Sequence, residues 1–220
     1  MTLPKITVYD TASRKKVPLL VDGATELSMY SCGPTVYQRI HIGNARSFVT
    51  PMAFVRYLRF CGIPVRYVSN ITDINDKIYT AAAAQGMASD ELARTAAQWY
   101  VDDTSDLGLG RPDEEPRATD WVAQMIALID ELIERGFAYE SKGDVYFRVN
   151  RYREYGKLSN RQLDQMIEGS RDDLEGGDKE NALDFALWKA TKAGEDTSWD
   201  SPWGKGRPGW HIECSAMGEH

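Results

Sequence analysis

The pattern of apolar and polar residues predicts a strand, a helix and a second strand early in the chain. Residues 26–31 alternate apolar and polar side chains, as a half-buried strand does. From about residue 44 to residue 60 the apolar residues recur at helical spacing, and Gly62 and Pro64 end that pattern. Residues 65–69 form the second predicted strand. Two strands joined by one helix over so short a stretch pair in parallel, which predicts a doubly wound α/β sheet with ligands beyond the carboxyl ends of its strands.

Shorter elements flank this unit. Residues 5–9 and 17–21 are predicted strands, and residues 77–84 and 89–107 are predicted helices. Residues 111–116 are rich in proline and acidic side chains, which predicts an extended linker because each proline disfavours helix before it.

The clearest amphipathic helix follows this linker. Thr119 is expected to cap it, and Gly136 is expected to follow its C-terminus. The residues of its apolar stripe are Trp121, Met125, Leu128, Ile129, Leu132 and Ile133. A tryptophan and a methionine at this spacing predict core packing rather than a binding site.

The next part of the chain interrupts the α/β pattern. Residues 137–139 and 144–149 flank a short turn and predict a hairpin. Residues 151–179 are strongly polar, and one short helix near residues 162–167 is expected there. The acidic residues between 172 and 175 are interpreted as a solvated surface rather than a metal site.

Composition and charge limit the classes of function. Hydrophobic residues make up 42% and charged residues 27% of the 220-residue chain, as in an ordinary globular protein. No apolar run is long enough to cross a membrane and no signal-peptide core is visible, so no membrane partner is expected. Three cysteines are too few, and odd in number, for a disulfide framework, which favours a cytoplasmic location. The net charge of −7 argues against a generic nucleic-acid binder and no DNA partner is expected, although local basic patches can still bind RNA.

The loop between the first predicted strand and its helix carries the candidate chemistry. It is rich in small residues, and the first free N–H groups of the helix, with the positive end of its dipole, point into it. Gly43 leaves room for a flat ligand to approach the backbone, and His41 can donate a hydrogen bond to a phosphate oxygen. This spacing predicts a nucleotide bound at a strand-to-helix turn.

The same loop resembles the signature of a known family. Cys-Gly-Pro-Thr-Val-Tyr at residues 32–37, followed by His-Ile-Gly at residues 41–43, is similar to the signature of cysteinyl-tRNA synthetases, class I enzymes with a His-Ile-Gly-His motif. Further segments that resemble this family lie at residues 70–77, 155–159, 184–189 and 206–217. One position departs from the motif, because Asn44 stands where the family has its second histidine. An amide can hydrogen-bond a phosphate or a ribose but never carries the charge of an imidazolium.

The resemblance implies a two-step reaction. ATP, with Mg²⁺, and L-cysteine would give cysteinyl-adenylate and pyrophosphate, and the terminal ribose hydroxyl of tRNA(Cys) would then attack the activated carbonyl. His41 and Asn44 would take the catalytic positions. The residues implied to bind ATP are Gly33, Pro34, Thr35, Tyr37, His41, Gly43 and Asn44. The residues implied to contact the substrate cysteine are Gly33, Thr72 and Trp210.

The segment after the second predicted strand has two interpretations. Thr72 or Asp73 would cap the next helix, with Asp76 in its first turn. The resemblance instead places Thr72 at the border of the cysteine pocket, because Asn-Ile-Thr-Asp is similar to the family motif there. Capping is the favoured interpretation for Asp73 and Asp76, and both interpretations of Thr72 stay open.

The resemblance also implies one zinc ion, held in part by Cys32 and Cys214. Spacing alone does not pair these residues, and free cysteines are most often small buried apolar side chains. A zinc ion with an open position would bind the substrate thiolate and so separate cysteine from serine, which a hydrophobic pocket separates poorly. The family takes its remaining ligands from a later segment. His211 and His220 are not favoured as substitutes, and Cys61 is expected to lie in the core.

The resemblance covers essentially the whole chain and about the N-terminal half of a typical family member. Residues 1–115 would be the first half of the Rossmann-like catalytic domain, residues 116–206 a connective α+β insertion, and residues 207–220 the start of the returning catalytic half. The Lys-Met-Ser-Lys-Ser loop and the anticodon-binding domain of the family are not among these residues. We therefore expect a piece of a longer synthetase, inactive in aminoacylation by itself, rather than a natural short paralogue.

Two other functions stay open at this point. One is an ATP-dependent ligase that joins cysteine to a small amine, because such enzymes resemble this chain around the metal and the nucleotide motif. The other is a non-catalytic protein that keeps a cysteine or zinc site for sensing or regulation.

Overall fold

The computed structural model describes residues 5–20, 24–160 and 178–219. The strands are β1 (Thr7–Asp10), β2 (Lys15–Pro18), β3 (Leu27–Ser31), β4 (Val65–Ser69), β5 (Ala138–Ser141), β6 (Asp144–Phe147), β7 (Phe185–Ala190) and β8 (Gly206–Pro208). The α-helices are α1 (Ile42–Phe60), α2 (Asp76–Gln85), α3 (Ser89–Asp106), α4 (Val122–Glu134) and α5 (Trp210–Gly218). Within these described ranges, no helix has the length and apolar character needed to cross a bilayer.

The predicted β–α–β unit is present. β3 and β4 pair in parallel, with Leu27 opposite Val65 and Ser31 opposite Ser69, and α1 connects them. β1 and β2 form a separate antiparallel hairpin. Beyond the other edge of β4, Ser69 N donates to the carbonyl of Glu114 at 3.1 Å. The predicted acidic linker therefore runs alongside β4 and extends the sheet by backbone hydrogen bonds.

Most of the buried apolar side chains of the described residues belong to two large cores. The first packs α1 and α3 against the β3–β4 sheet, and it includes Val55, Leu58 and Tyr67 and the edge-to-face pair Phe48–Tyr100, whose ring centroids lie 5.1 Å apart. The second core lies between α4, α5 and a separate sheet. Its largest fully buried side chains are Trp188, Met125, Ile129 and Val145.

The separate sheet has the antiparallel order β5-β6-β7-β8. The predicted hairpin is its β5–β6 pair, in which Ala138 lies opposite Phe147. β7 was not predicted as a strand by periodicity, because Ala186, Leu187 and Trp188 are buried in succession rather than alternately. The expected boundary at residue 206 falls within β8, and α5 packs into the second core, so the division into an insertion and a returning half stays a prediction.

The capping prediction for α2 is wrong. α2 begins at Asp76, and its N-cap is Asn75, whose side chain accepts a hydrogen bond from Lys77 N at 3.1 Å. Thr72 cannot cap it because its own backbone pairs with the loop after β3. Asp76 does lie in the first turn, as predicted.

The capping prediction for the amphipathic helix is also wrong. Asp73 accepts hydrogen bonds from the backbone N of Thr119 at 2.9 Å and from its hydroxyl at 2.7 Å. Thr119 lies within the short 3-10 helix Ala118–Trp121, which precedes α4, so it is not at the N-cap position of α4. No side chain caps the start of α4. This long-range pair ties the end of β4 to the start of the second core.

The predicted helix ends are confirmed. Gly62 and Gly136 follow the C-caps of α1 and α4 with φ of 79° and 75°, a conformation that glycine adopts without strain. The short helix expected near residues 162–167 and the acidic residues between 172 and 175 lie outside the described residues.

Asp184 holds the start of β7, and we predict that Asp184→Ala lowers the free energy of unfolding by about 3 kcal/mol. Its buried carboxylate accepts hydrogen bonds from the Tyr139 hydroxyl at 2.8 Å and from the backbone N of Val149 at 3.0 Å, and both donors would lose their partner. Urea unfolding measures the change. Asp130→Ala, on the exposed face of α4, is the matched control and should change stability by no more than about 0.5 kcal/mol. Equal effects of the two substitutions would contradict this role.

Candidate active site

The loops after β3 and β4 run side by side beyond the ends of their strands. Thr72 N donates to the carbonyl of Pro34 at 2.9 Å, and Val36 N donates to the carbonyl of Thr72 at 3.1 Å. The parallel pairing of β3 and β4 is thereby continued by a bridge between Thr35 and Thr72. The predicted nucleotide loop is thus fixed against the segment at residues 70–72.

Asn70 is the polar centre of this junction, and sequence reasoning assigned it no role. Its side-chain oxygen accepts hydrogen bonds from the Tyr30 hydroxyl and from Gly33 N, both at 3.0 Å. Its amide nitrogen donates to the Thr72 hydroxyl at 3.2 Å, and the Cys214 thiol lies 3.7 Å from its oxygen. One signal in the sequence could have indicated this role, namely a side-chain amide directly after a predicted buried strand. Such a group must find hydrogen-bond partners when it is buried.

Gly33 is required by this arrangement. A Cβ atom at this position would lie 1.6 Å from the backbone carbonyl oxygen of Asn70, a distance no side chain tolerates. The absence of a side chain therefore allows the two loops to touch, as expected for a glycine where two backbones approach closely.

The structure brings Cys32 and Cys214 together. Their sulfur atoms lie 3.2 Å apart although the residues are 182 positions apart in the chain. Cys32 is exposed at the end of β3, and Cys214 is on α5, one turn after Trp210. Burial, together with the hydrogen bond to Cys32, raises the pKa of the Cys214 thiol to about 12.

This pair fits half of a zinc site. A tetrahedral zinc ion that binds two sulfur atoms at about 2.3 Å each holds them about 3.8 Å apart. The sulfur atoms of Cys32 and Cys214 would therefore have to move apart only slightly to bind such an ion. In the described part of the chain, no group of three or more His, Cys, Asp or Glu side chains is placed to hold a metal ion. His211 packs instead against the rings of Phe185 and Trp210, and His220 lies outside the described residues. Cys61 is half-buried against the first core.

Thr72 holds a buried carboxyl group next to the thiol pair. Its hydroxyl donates to Glu213 Oε2 at 2.9 Å, and Glu213 is only 1% exposed. Burial raises the pKa of Glu213 to about 8, with a further contribution from Asp73, which favours the protonated carboxyl at neutral pH. Thr72 is itself buried, so its predicted contact with the substrate cysteine stays a prediction.

The start of α1 is capped by the first residue of the predicted phosphate motif. His41 Nδ1 accepts a hydrogen bond from Gly43 N at 3.1 Å, while Asn44 Oδ1 accepts one from His41 N at 3.3 Å. A ring nitrogen that accepts is unprotonated, so the proton lies on Nε2, which is left as a donor. Asn44 therefore completes a capping box here, a role that its amide oxygen can fill without charge.

Most of the predicted site residues line one cavity of about 290 Å³ between the loop and α1. The predicted residues on its wall are Cys32, Gly33, Pro34, Thr35, Tyr37 and Asn44. Lys77 also lines it, with its ammonium 5.9 Å from the centre of the Tyr37 ring. Sequence reasoning included Lys77 in a helix and in the family motif at residues 70–77 but gave it no contact with a ligand, yet it supplies the cavity with a positive charge. His41 and Gly43 are exposed at the start of the same helix.

Trp210 lines a smaller adjoining cavity of about 80 Å³. Thr35 and Lys77 belong to the walls of both cavities. Arg207, which also lines the smaller cavity, forms salt bridges with Asp76 and, at 2.8 Å, with Glu195. Although burial opposes it, the nearby Arg207 guanidinium helps to hold the pKa of Asp76 below its usual value.

A capped helix start that follows a parallel strand and lies beside a thiol pair is consistent with the class I synthetase catalytic fold. The model of the family described as "tRNA synthetases class I (C) catalytic domain" matches residues 20–220. The chain belongs to the cysteinyl-tRNA synthetase family and has its Rossmann-like α/β class I fold, as predicted.

Individual relatives agree with this assignment. The chain is 50% identical over 212 residues to the cysteine–tRNA ligase of Anoxybacillus flavithermus, covering 96% of this chain and 45% of that protein. It is 50% identical over 217 residues to the cysteine–tRNA ligase of Streptococcus pyogenes serotype M3, covering 96% of this chain and 48% of that protein. The chain thus spans about half the length of the curated relatives it matches. A crystal structure of a putative arginyl-tRNA synthetase from Campylobacter jejuni is similar with a TM-score of 0.48 and 13% identity over 89% of this chain and 44% of that one.

We predict that mild oxidation of the metal-free chain with diamide forms a Cys32–Cys214 disulfide. The two sulfurs are already in contact, so only small movements are needed to reach bonding distance. Mass spectrometry should show the loss of two hydrogens and a tryptic peptide pair that joins the two cysteines. Cys61→Ser should react like the wild type, and Cys214→Ser should not form an internal disulfide. A main product that pairs Cys61 would contradict the observed geometry.

Proposed function

We propose that this chain is the N-terminal catalytic portion of a cysteine–tRNA ligase. It would activate L-cysteine with ATP and Mg²⁺ to cysteinyl-adenylate and then transfer cysteine to tRNA(Cys) in the cytoplasm. The observation that supports this best is the contact of Cys32 and Cys214 beside the capped helix start of α1. Cys32 and His41 both lie between β3 and α1, so the proposed sulfur-binding and anion-binding positions would share this loop.

The phosphate end of the site would act by positioning and charge. The Nε2–H of His41 and the free amide hydrogens of Asn44 can donate to phosphate oxygens, and the α1 dipole favours anions there. The Lys77 ammonium adds a positive charge to the wall of the cavity. These residues would form no covalent bond to the substrates. They would align the cysteine carboxylate with the α-phosphate of ATP, which the carboxylate attacks directly.

The amino-acid end of the site would select the side chain. Cys32 and Cys214 would hold zinc together with ligands from outside the described residues, and the bound ion would offer an open position to the substrate sulfur. The Asn70 side chain accepts a hydrogen bond from Gly33 N in the loop that carries Cys32, and it lies 3.7 Å from the Cys214 thiol on α5. Trp210 would cover the amino acid from α5. Selection at this first step would depend on sulfur being a better zinc ligand than a neutral hydroxyl.

We predict that the chain binds a non-reactive sulfamoyl analogue of cysteinyl-adenylate at least tenfold more tightly than the matching seryl analogue. Isothermal titration in the presence of zinc measures both. His41→Ala should weaken the binding of both analogues by a similar factor of about ten. It removes a hydrogen-bond donor to the sulfamoyl group that replaces the phosphate, and it removes no contact with the amino-acid side chain. Arg94→Ala, an exposed position on α3, is the control and should change neither. Equal affinity for the two analogues would contradict the proposal.

Zinc content provides an independent prediction. Plasma mass spectrometry of the purified chain should find zinc, and both Cys32→Ser and Cys214→Ser should lower it at least tenfold, because each removes a sulfur ligand. Cys61→Ser should keep the wild-type zinc content, since Cys61 packs against the first core. Zinc that survives both substitutions would place the metal elsewhere.

A further inference from the structure

Glu213 carries a buried carboxyl oxygen that the fold leaves without a partner. Among the described residues, two acidic side chains belong to residues that are only 1% exposed, Glu213 and Asp184. Asp184 uses both of its oxygens, since Oδ1 accepts from Val149 N at 3.0 Å and Oδ2 from the Tyr139 hydroxyl at 2.8 Å. Glu213 uses only Oε2, which accepts from the Thr72 hydroxyl, and its Oε1 has no partner among the described residues. An unpaired buried acceptor lowers stability, and a role in binding is one reason that proteins retain it.

The unpaired group lies at the candidate site. Glu213 lines the smaller cavity of about 80 Å³, together with Thr35 and Trp210. It directly precedes Cys214 on α5, which places the carboxyl group beside the proposed sulfur-binding position. The hydrogen bond from Thr72 fixes the carboxyl group against the loop after β4. The unpaired oxygen is therefore held at the amino-acid end of the site.

The ion pairs around the smaller cavity leave Glu213 as its available carboxyl group. The other acidic residue on the wall is Asp76, which forms salt bridges with Lys189 at 3.1 Å and with Arg207. Glu213 forms no salt bridge with any described residue, and the same holds for Lys77, which lines both cavities. The cavity thus offers one carboxyl group and one ammonium group to a ligand that carries both charges.

A free amino acid is a ligand of this kind. Its α-ammonium group donates hydrogen bonds only, and it needs acceptors when it is taken out of water. In cysteine this nitrogen is separated from the sulfur by two carbon atoms, so a pocket that binds the sulfur near Cys214 must also accommodate the ammonium group nearby. A carboxylate acceptor compensates the positive charge, and the ammonium group in turn favours the charged form of the carboxyl group.

We propose that Glu213 Oε1 accepts a hydrogen bond from the α-ammonium group of the substrate amino acid and so orients the amino acid for activation. This inference rests on the proposed function, because it takes the amino-acid substrate from that reaction. No covalent step and no proton transfer is assigned to Glu213. The Thr72 hydroxyl occupies Oε2, which leaves Oε1 to the ligand.

The test compares two compounds that differ only at the α-carbon. One is the sulfamoyl analogue of cysteinyl-adenylate, and the other is the same compound with hydrogen in place of the α-amino group. Isothermal titration of the whole chain in the presence of zinc should show that the wild type binds the amino compound at least tenfold more tightly, because the amine-free compound lacks a hydrogen bond between charged groups. Equal affinity would overturn the proposal and assign Oε1 to bound water, whether or not any variant folds.

Glu213→Gln separates a contact with the amine from a structural role. Its side-chain oxygen can still accept from the Thr72 hydroxyl, but its NH₂ group then replaces Oε1 and is a donor, as the ammonium group is. The variant should bind the amino compound at least tenfold more weakly than the wild type does and the amine-free compound within twofold of the wild type. Weakening of both compounds by the same factor would contradict the contact.

Glu195→Gln is the matched control. Glu195 has a side chain that is 8% exposed, pairs with Arg207 at 2.8 Å and does not line the smaller cavity. Removal of this charge should leave the ratio of the two affinities within twofold of the wild-type ratio. A ratio that falls as far as it does in Glu213→Gln would show that any nearby negative charge suffices and would overturn the assignment.

Urea unfolding provides a readout that needs no ligand. Glu213→Gln should not lower the midpoint, because the oxygen that it replaces pairs with no described group. A lowered midpoint, together with an equal loss of affinity for both compounds, would assign Glu213 a purely structural role.

The amine-free compound distinguishes this inference from the function beneath it. If the wild type binds both compounds equally, the assignment of Glu213 is wrong and the proposed function stands. If the wild type binds neither compound, the proposed function fails, and the inference that rests on it fails as well.

Discussion

The contact between the backbones at Gly33 and Asn70 is the constraint on which the site depends. Here the missing side chain of Gly33 allows the nucleotide loop to lie directly against the carbonyl of Asn70. The Asn70 amide then satisfies groups from both loops, and it also approaches the thiol of Cys214. Gly33 thus fixes the position of the loop after β3, and the Asn70 amide supplies the hydrogen bonds that hold it there.

The site is assembled from two separately packed cores. The first core fixes the β3–β4 edge and α1, which bring Cys32 and His41. The second core fixes α5, which brings Trp210 and Cys214. The buried Thr72–Glu213 hydrogen bond joins the two, and a carboxyl group that favours its protonated form is tolerated there without a cationic partner in contact. The geometry of the candidate site therefore depends on how these two cores meet rather than on either core alone.

Local signals could be predicted from the sequence, and long-range pairs could not. The β3–α1–β4 unit and the glycines after α1 and α4 follow from periodicity and helix-end chemistry within a few residues. The pairing of Asp73 with Thr119 replaced two predicted caps, because a partner 46 positions away competed successfully with the local backbone. The contact of Cys32 with Cys214 was suggested only by family resemblance, since a separation of 182 positions leaves no local trace. β7 was missed because a central strand, buried on both faces, loses the alternation that marks a strand.

The salt bridges of Arg207 have a consequence for how the molecule unfolds. Arg207 is on β8 of the second sheet, yet its buried guanidinium pairs with Asp76 at the start of α2, which packs against the first core. Separating the two cores would remove Asp76 from this buried guanidinium and leave Glu195 as its remaining carboxylate partner, so the buried charge would be less well compensated. The loss of this salt bridge opposes the unfolding of one core while the other remains intact. The two cores are coupled into a single cooperative unit, in which heat or denaturant should melt both at the same midpoint.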